Sequence, residues 1–162
     1  GKEDLCLQVQ VKEKREKENG SQTAVHQGSD NVYRWLIFCG MTKIVFYRSG
    51  GVFYGFEEQG HTGYGEEGDD VLCAALSAMT MLIINTVEVA YDSHIDYEID
   101  DKTTDIRIKS KSALPQYEED EKKRYAVSGI FLAYYKQIQD MMEEYYEYLD
   151  MSVIDKPYED ED

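Results

Sequence analysis

Short runs of apolar and polar residues predict two hairpins in the central part of the chain. Ile44 to Arg48 and Val52 to Glu57 are rich in β-branched and aromatic residues, and Ser49-Gly50-Gly51 separates them. Glycine pairs supply the positive φ of tight turns, so these two runs predict a first hairpin. Ala90 to Ile99 and Thr103 to Lys109 alternate in a similar way around a polar turn, which predicts a second hairpin.

Two other segments have helical patterns. The stretch from Asp70 to Glu88 is apolar nearly all round, so we expect one face on the sheet and another against a second helix or a second subunit. After Leu114-Pro115, residues Glu118 to Tyr148 carry an apolar stripe with a period near 3.6, and Met151 to Ile154 predicts a last edge strand. The order β-β-α-β-β-α-β predicts an α+β two-layer sandwich, with a mixed, mostly antiparallel sheet and two helices on one face.

Composition divides the chain into three parts. Residues 1–40 contain the mixed-charge run Lys12 to Glu18, and we expect this segment to be an extension that is disordered or vector-derived, with an ordered N-terminal appendage as the alternative. We place the folded domain at residues 41–155. Residues 156–162 are mostly acidic and predict a solvated tail.

The charge of the chain indicates what kind of partner it binds. The formal net charge is −16, and residues 1–40 are balanced, so the whole excess falls on residues 41–162. Such a surface repels nucleic acid and anionic membranes, because it cannot neutralise phosphate groups. A basic protein or peptide is the expected partner.

The spacing of the cysteines and the length of the longest apolar run argue against several classes of protein. Three cysteines without a CxxC arrangement argue against a disulfide framework and a zinc site, and they fit a cytoplasmic protein. The uncharged run Val71 to Thr86 is shorter than the roughly twenty residues that span a bilayer. We therefore expect a buried helix there and no membrane association.

The candidate chemistry lies where a glycine-rich loop meets the first apolar helix. His61 follows Gly60 at the start of the loop, the loop ends near Gly68, and Cys73 falls in the first turn of the helix that Asp70 would cap. A helix N-terminus and an imidazolium both favour a thiolate, whereas an aspartate in the same turn opposes it. Taken alone, Cys73 also fits a small buried helix residue, and His61 also fits an exposed loop residue.

Together with their flanking residues, these two side chains resemble the bacterial ribosomal-processing cysteine proteases. The resemblance covers roughly Met41 to Leu149. The residues that carry it are Lys43 to Arg48, Gly55-Phe56, Gly60-His61, Gly68, Asp70, Cys73-Ala74-Ala75 and Ser77. Glu66-Glu67, the forty-residue extension and the long acidic tail depart from the family pattern.

The resemblance implies a cysteine endopeptidase in which Cys73 is the nucleophile and His61 is the general acid and base. It further implies the two-layer fold, a homodimer, and a substrate that is the precursor of a basic large-subunit ribosomal protein. No metal or organic cofactor is implied. The rival hypothesis is a non-enzymatic acidic binding module or assembly factor for a basic ribosomal protein.

Residues near Cys73 and His61, which we call the dyad, are expected to have supporting roles. Asp70 is expected to be a helix cap, with an orienting role toward His61 as the alternative. Gly60, Gly68 and Ser77 are expected to form the loop or to bind substrate. We interpret the remaining histidines and cysteines as surface or incidental residues: His26, His94, Cys6 and Cys39.

Overall fold

The computed structural model describes residues 41–60, 71–100, 103 and 105–160. The predictions for the N-terminal extension, and those for the loop residues His61 to Asp70, lie outside these ranges. Residues Met41 to Asp162 form one compact unit.

In the described ranges, five strands form one mixed sheet. They are β1 (Thr42–Ser49), β2 (Val52–Gln59), β3 (Asp96–Ile99), β4 (Ile106–Lys109) and β5 (Leu149–Asp155), in the spatial order β3-β4-β2-β1-β5. Neighbouring strands are antiparallel except β1 and β5, which run parallel. The predicted sheet is therefore confirmed, and β5 lies at one edge as expected.

The two hairpins differ in how well the sequence predicted them. Gly50 and Gly51 both have positive φ, of 56° and 82°, and they join β1 to β2 as the glycine pair predicted. The second hairpin is shorter than expected, because β3 begins at Asp96 and not at Ala90. The preceding helix continues as a π-helix over Asn85–Ala90, two residues beyond its predicted end at Glu88, and the side chain of Val87 lies in the core.

The described part of the chain contains two long helices, α1 (Val71–Ile84) and α2 (Glu121–Tyr145). The carboxylate of Asp120 accepts hydrogen bonds from the backbone amides of Lys122 and Lys123, at 2.9 and 3.3 Å. An N-cap stops a helix from extending further toward the N-terminus, so α2 begins three residues later than its apolar pattern alone suggested.

Both helices cover the same face of the sheet, which we call the inner face. Phe56 of β2 contacts Phe131 and Tyr134 of α2, with ring centroids 6.2 and 4.7 Å apart. Glu58 lies two residues after Phe56 and so points to the same side, where it contacts Thr80 of α1. The predicted two-layer α+β sandwich is confirmed.

Helix α1 is only partly buried. Leu72, Leu76 and Ile83 lie in the core, but Val71 and Leu82 are exposed on the opposite side. The segment Val71–Ala90 has the length and hydropathy of a membrane span by composition alone, and a third of it is buried inside the domain. Because its inner side packs in the core, we interpret it as a helix of the folded domain with an uncovered apolar face.

The opposite face of the sheet, which we call the outer face, carries part of the C-terminal segment. The ring of Tyr158 lies 5.5 Å from that of Tyr54, and Tyr158 is only 5% exposed. The Lys109 ammonium donates a hydrogen bond to the Glu159 carbonyl oxygen at 2.8 Å. The expectation of a solvated tail is therefore wrong for Tyr158. Burial of its large aromatic ring is favourable enough to hold this residue on the sheet, although its neighbours in the tail are acidic.

Candidate active site

Cys73 is the third residue of α1 and is half-buried. Its neighbours Leu72 and Leu76 are buried, and they fix which side of the helix faces the core. The N-terminal end of a helix favours negative charge, so this position suits a thiolate. Ser77, one turn further along, is exposed.

Gly60 fixes the point where the candidate loop leaves the sheet. Its φ is +85°, and a Cβ atom there would lie 2.9 Å from the Met41 carbonyl oxygen, so a larger residue would be both strained and crowded. The Gly60 amide also donates a hydrogen bond to the Asp105 carboxylate at 3.3 Å. The first residue of the loop is thus held in place.

The rest of the predicted site lies outside the described residues. His61, Gly68 and Asp70 belong to that part of the chain, so the pairing of His61 with Cys73 stays a prediction, as do the cap or orienting role of Asp70 and the loop role of Gly68. Ser77 is described, and its role near substrate also stays a prediction.

Glu58 is a buried carboxyl group that the sequence analysis missed. A single carboxyl oxygen, Oε1, accepts hydrogen bonds from the Tyr134 hydroxyl and, at 3.4 Å, from the Thr80 hydroxyl. Burial raises the pKa of Glu58 to about 7, against the opposing effect of these two hydrogen bonds. Period-2 alternation after the inward-facing Phe56 was the signal that could have revealed it.

Glu57, the preceding residue, points to the outer face and has different partners. The Tyr47 hydroxyl donates to it at 2.5 Å, and the Arg107 guanidinium lies 3.4 Å away. Burial alone would raise the pKa of Glu57, but hydrogen bonds from Tyr47, Gln59 and Arg107, together with the charge of Arg107, lower it.

The other candidates lie away from this region or outside the described residues. His94 is exposed, as expected of a surface residue, and its Nε2 atom lies 3.2 Å from the Asp96 carboxylate. Cys6, Cys39 and His26 belong to the segment that the structure does not describe. Within the described ranges, no group of three or more acidic, histidine or cysteine side chains could hold a metal ion.

Comparison with solved structures gives similar chains of known fold. SMU.848 from Streptococcus mutans is 27% identical with a TM-score of 0.58, and the match covers 72% of this chain and 97% of that one. An essential ribosomal processing protease Prp from Staphylococcus aureus, in complex with a covalently linked product peptide, is 21% identical with a TM-score of 0.59; the match covers 70% of this chain and all of that one. The same protease in complex with a substrate peptide is 20% identical with a TM-score of 0.56 and the same coverage. No curated protein sequence matches significantly.

A protein-family model settles the family. The model described as cysteine protease Prp matches residues 41–150, which is more than half of the chain and nearly all of its folded unit. The match includes both Cys73 and the position of His61. The chain therefore belongs to the Prp family of cysteine proteases.

Proposed function

We propose that this enzyme is an endopeptidase that removes the short N-terminal extension from the precursor of a bacterial large-subunit ribosomal protein. The observation that carries the proposal is the family match, which spans a cysteine in the first turn of α1. The solved S. aureus protease complexes, whose chains hold a substrate or product peptide, support a peptide substrate. Such a role belongs in the cytoplasm, where ribosomal proteins are made, and calls for no metal or organic cofactor.

The chemistry requires a Cys73–His61 dyad. His61 accepts the thiol proton as the Cys73 sulfur attacks the carbonyl carbon of the scissile bond. When the tetrahedral intermediate collapses, His61 gives that proton to the leaving amine and a thioester remains. Water then attacks the thioester, His61 takes a proton from it, and the proton returns to the sulfur as the new carboxyl group leaves.

Positive partial charge near the sulfur would stabilise the developing oxyanion. Amides in the first turn of α1, at Cys73 or Ala74, are suited to this role, because the N-terminal end of a helix points such groups outward. Asp70 would cap this turn, with orientation of His61 as its alternative role. Motion of the loop from Gly60 to Gly68 would admit the peptide and bring His61 to the thiol.

Charge favours the encounter with this substrate. Ribosomal proteins are basic, whereas residues 41–162 carry the whole acidic excess of this chain. Long-range attraction would therefore raise the association rate, and added salt would lower it.

Self-association into a homodimer is part of the proposal. The outward side of α1 exposes Val71, Met81 and Leu82, the π-helix that follows exposes Val89, and no charged residue lies between Val71 and Val87. A second copy of the chain that covers this side would remove apolar surface from water.

Incubation with a peptide that carries the precursor's extension and its first mature residues tests the proposal. Mass spectrometry should detect a single cut in the wild-type reaction. The variants Cys73→Ala and His61→Ala should bind the peptide and leave it intact. The matched controls Cys39→Ala and His94→Ala should cut at the wild-type rate, since neither residue belongs to the proposed dyad.

Alkylation separates the protease from the rival binding module. Iodoacetamide should modify Cys73 near neutral pH faster than it modifies Cys6 or Cys39, and His61→Ala should slow that reaction. Cleavage by Cys73→Ala at the wild-type rate would exclude the proposed nucleophile.

A further inference from the structure

Glu58 occupies a position where an apolar residue would be expected. Its register partners in the sheet are Ile44 on β1 and Ile106 on β4, which point to the same inner face. Only 4% of Glu58 is exposed. Charged residues are rarely buried to this extent unless they are paired, so the carboxyl group needs an explanation beyond packing.

Within the described ranges, the carboxyl group has two hydroxyl partners and no cationic partner. Tyr134 approaches from α2 and Thr80 from α1, and both are themselves buried. Among the described residues, no lysine, arginine or histidine forms an ion pair with Glu58. In the part of the chain that the structure describes, two hydrogen bonds thus hold the group, in surroundings that raise its pKa to about 7.

These contacts join the two elements that carry the proposed dyad. Glu58 lies two residues before Gly60, where β2 enters the loop that contains His61. Thr80 lies seven residues after Cys73, two turns along α1 and on nearly the same side of the helix. One carboxyl oxygen therefore connects the end of the strand to the cysteine helix, and Tyr134 connects the same atom to α2.

We infer that Glu58 is a positioning residue for catalysis, which fixes the strand end that leads to His61 relative to the helix that carries Cys73. The inference rests on the proposed function. Apolar contacts hold elements together but permit small shifts between them, whereas hydrogen bonds to one atom specify direction and distance. Misplacement of a reacting group by about 1 Å can cost roughly 100-fold in rate.

Substitution of Glu58 provides the main test. Glu58→Met keeps a similar size and removes both acceptors, so we expect kcat for the extension peptide to fall about 10- to 100-fold with KM nearly unchanged. Glu58→Gln keeps a carbonyl oxygen that can accept from Thr80 and Tyr134, and it should recover most of that loss. Glu57→Gln, one residue away on the outer face, is the matched control and should keep the wild-type kcat.

The hydroxyl partners supply a second test that does not depend on how Glu58→Met folds. Tyr134→Phe and Thr80→Val each remove one hydrogen bond to the carboxyl group and keep most of the side-chain volume. Each should lower kcat by a smaller factor than Glu58→Met. In Glu58→Met, neither partner has its acceptor, so adding Tyr134→Phe should lower kcat no further.

Thiol alkylation distinguishes failure of this inference from failure of the proposed substrate. The rate at which iodoacetamide modifies Cys73, relative to Cys39, should fall in Glu58→Met and recover in Glu58→Gln, because it depends on the approach of His61 and not on any peptide. If the wild type leaves the peptide uncut while this pattern holds, the substrate is wrong and the positioning role stands. If Glu58→Met, Tyr134→Phe and Thr80→Val lower the melting temperature but keep wild-type kcat and alkylation rates at a temperature where they are folded, Glu58 is a structural residue and the inference is overturned.

Discussion

Glu57 and Glu58 are adjacent in the sequence, yet they lie in opposite environments. Glu57 faces the outer side of the sheet beside the Arg107 guanidinium and the Tyr47 hydroxyl, and its pKa is lowered. Glu58 faces the inner side between two isoleucine positions, and its pKa is raised to about 7. The same side chain is thus held ionised on one face and can take up a proton near neutral pH on the other.

The difference shows that the surroundings of a carboxyl group determine the direction in which its pKa shifts. Both groups accept hydrogen bonds, but Glu58 is almost fully buried and Glu57 is only partly buried, so burial penalises the charge of Glu58 far more. Glu57 also accepts hydrogen bonds from the side chains of Tyr47, Gln59 and Arg107, and these bonds together with the charge of Arg107 outweigh the smaller effect of its burial. Among the described residues, the inner face offers Glu58 two hydroxyl groups and no cation, and this combination marks Glu58 as a residue retained at a cost in stability.

Charge reversal should give the largest contrast between the two positions. Glu58→Lys would bury an ammonium group among apolar side chains and leave two hydroxyl groups without their acceptor, so we expect a loss of about 4 kcal/mol in the free energy of unfolding. Glu57→Lys would place its charge beside Arg107 on a half-open face and should cost about 1 kcal/mol. Urea denaturation at pH 7 measures both, and equal losses would contradict the assignment of Glu58 to a dry environment.

The pH dependence of stability should differ in sign between the two glutamates. The pKa of Glu58 is higher in the folded protein than its ordinary value of 4.5, so its contribution is fully present below pH 4.5 and is lost as the pH rises toward 7. The difference amounts to about 3 kcal/mol. Relative to Glu58→Gln, the wild type should therefore lose that much stability between pH 4.5 and about 7.5.

Glu57→Gln is the control for this measurement. Because the pKa of Glu57 is lowered in the folded protein, its contribution is present above the ordinary glutamate value and is lost as the pH falls. The wild type should thus become less stable relative to Glu57→Gln toward acid pH, which is the opposite slope. Parallel slopes for the two variants would show that they share one environment.

Features that depend on local patterns could be predicted from the sequence, whereas those that depend on tertiary contacts could not. The sheet, both helices and the glycine turn at Gly50-Gly51 follow from local periodicity and turn chemistry, and they were predicted. The start of β3 was misplaced, because the π-helix runs to Ala90 and residues 91–95 form no strand, although their sequence alternates, before β3 begins at Asp96. Similarly, Tyr158 packs on Tyr54 through a contact between residues about a hundred positions apart, which no local reading of an acidic tail reveals.

The same distinction between local patterns and tertiary contacts applies to prediction of the site. Cys73 in the first turn of a helix follows from the apolar pattern that begins after Asp70, and the structure places it there. Glu58 escaped because the predicted strand ended at Glu57, so the next glutamate appeared to begin the loop. Its partners Thr80 and Tyr134 lie 22 and 76 residues away, and only the tertiary fold brings them to one atom.

Removal of the cation from the outer face should produce the smallest of these effects. Arg107→Met leaves Glu57 with its hydrogen bonds from Tyr47 and Gln59 and without the guanidinium, so the Glu57 pKa should rise and stability at pH 7 should fall by about 1 kcal/mol or less. Glu58 should titrate as before, since its neighbours are two hydroxyl groups on the other face of the sheet. NMR titration of the two carboxyl groups reports both pKa values in one experiment. A shift confined to Glu57 would show that the sheet isolates the electrostatics of its two faces, whereas an equal shift at Glu58 would mean that the field of Arg107 crosses it.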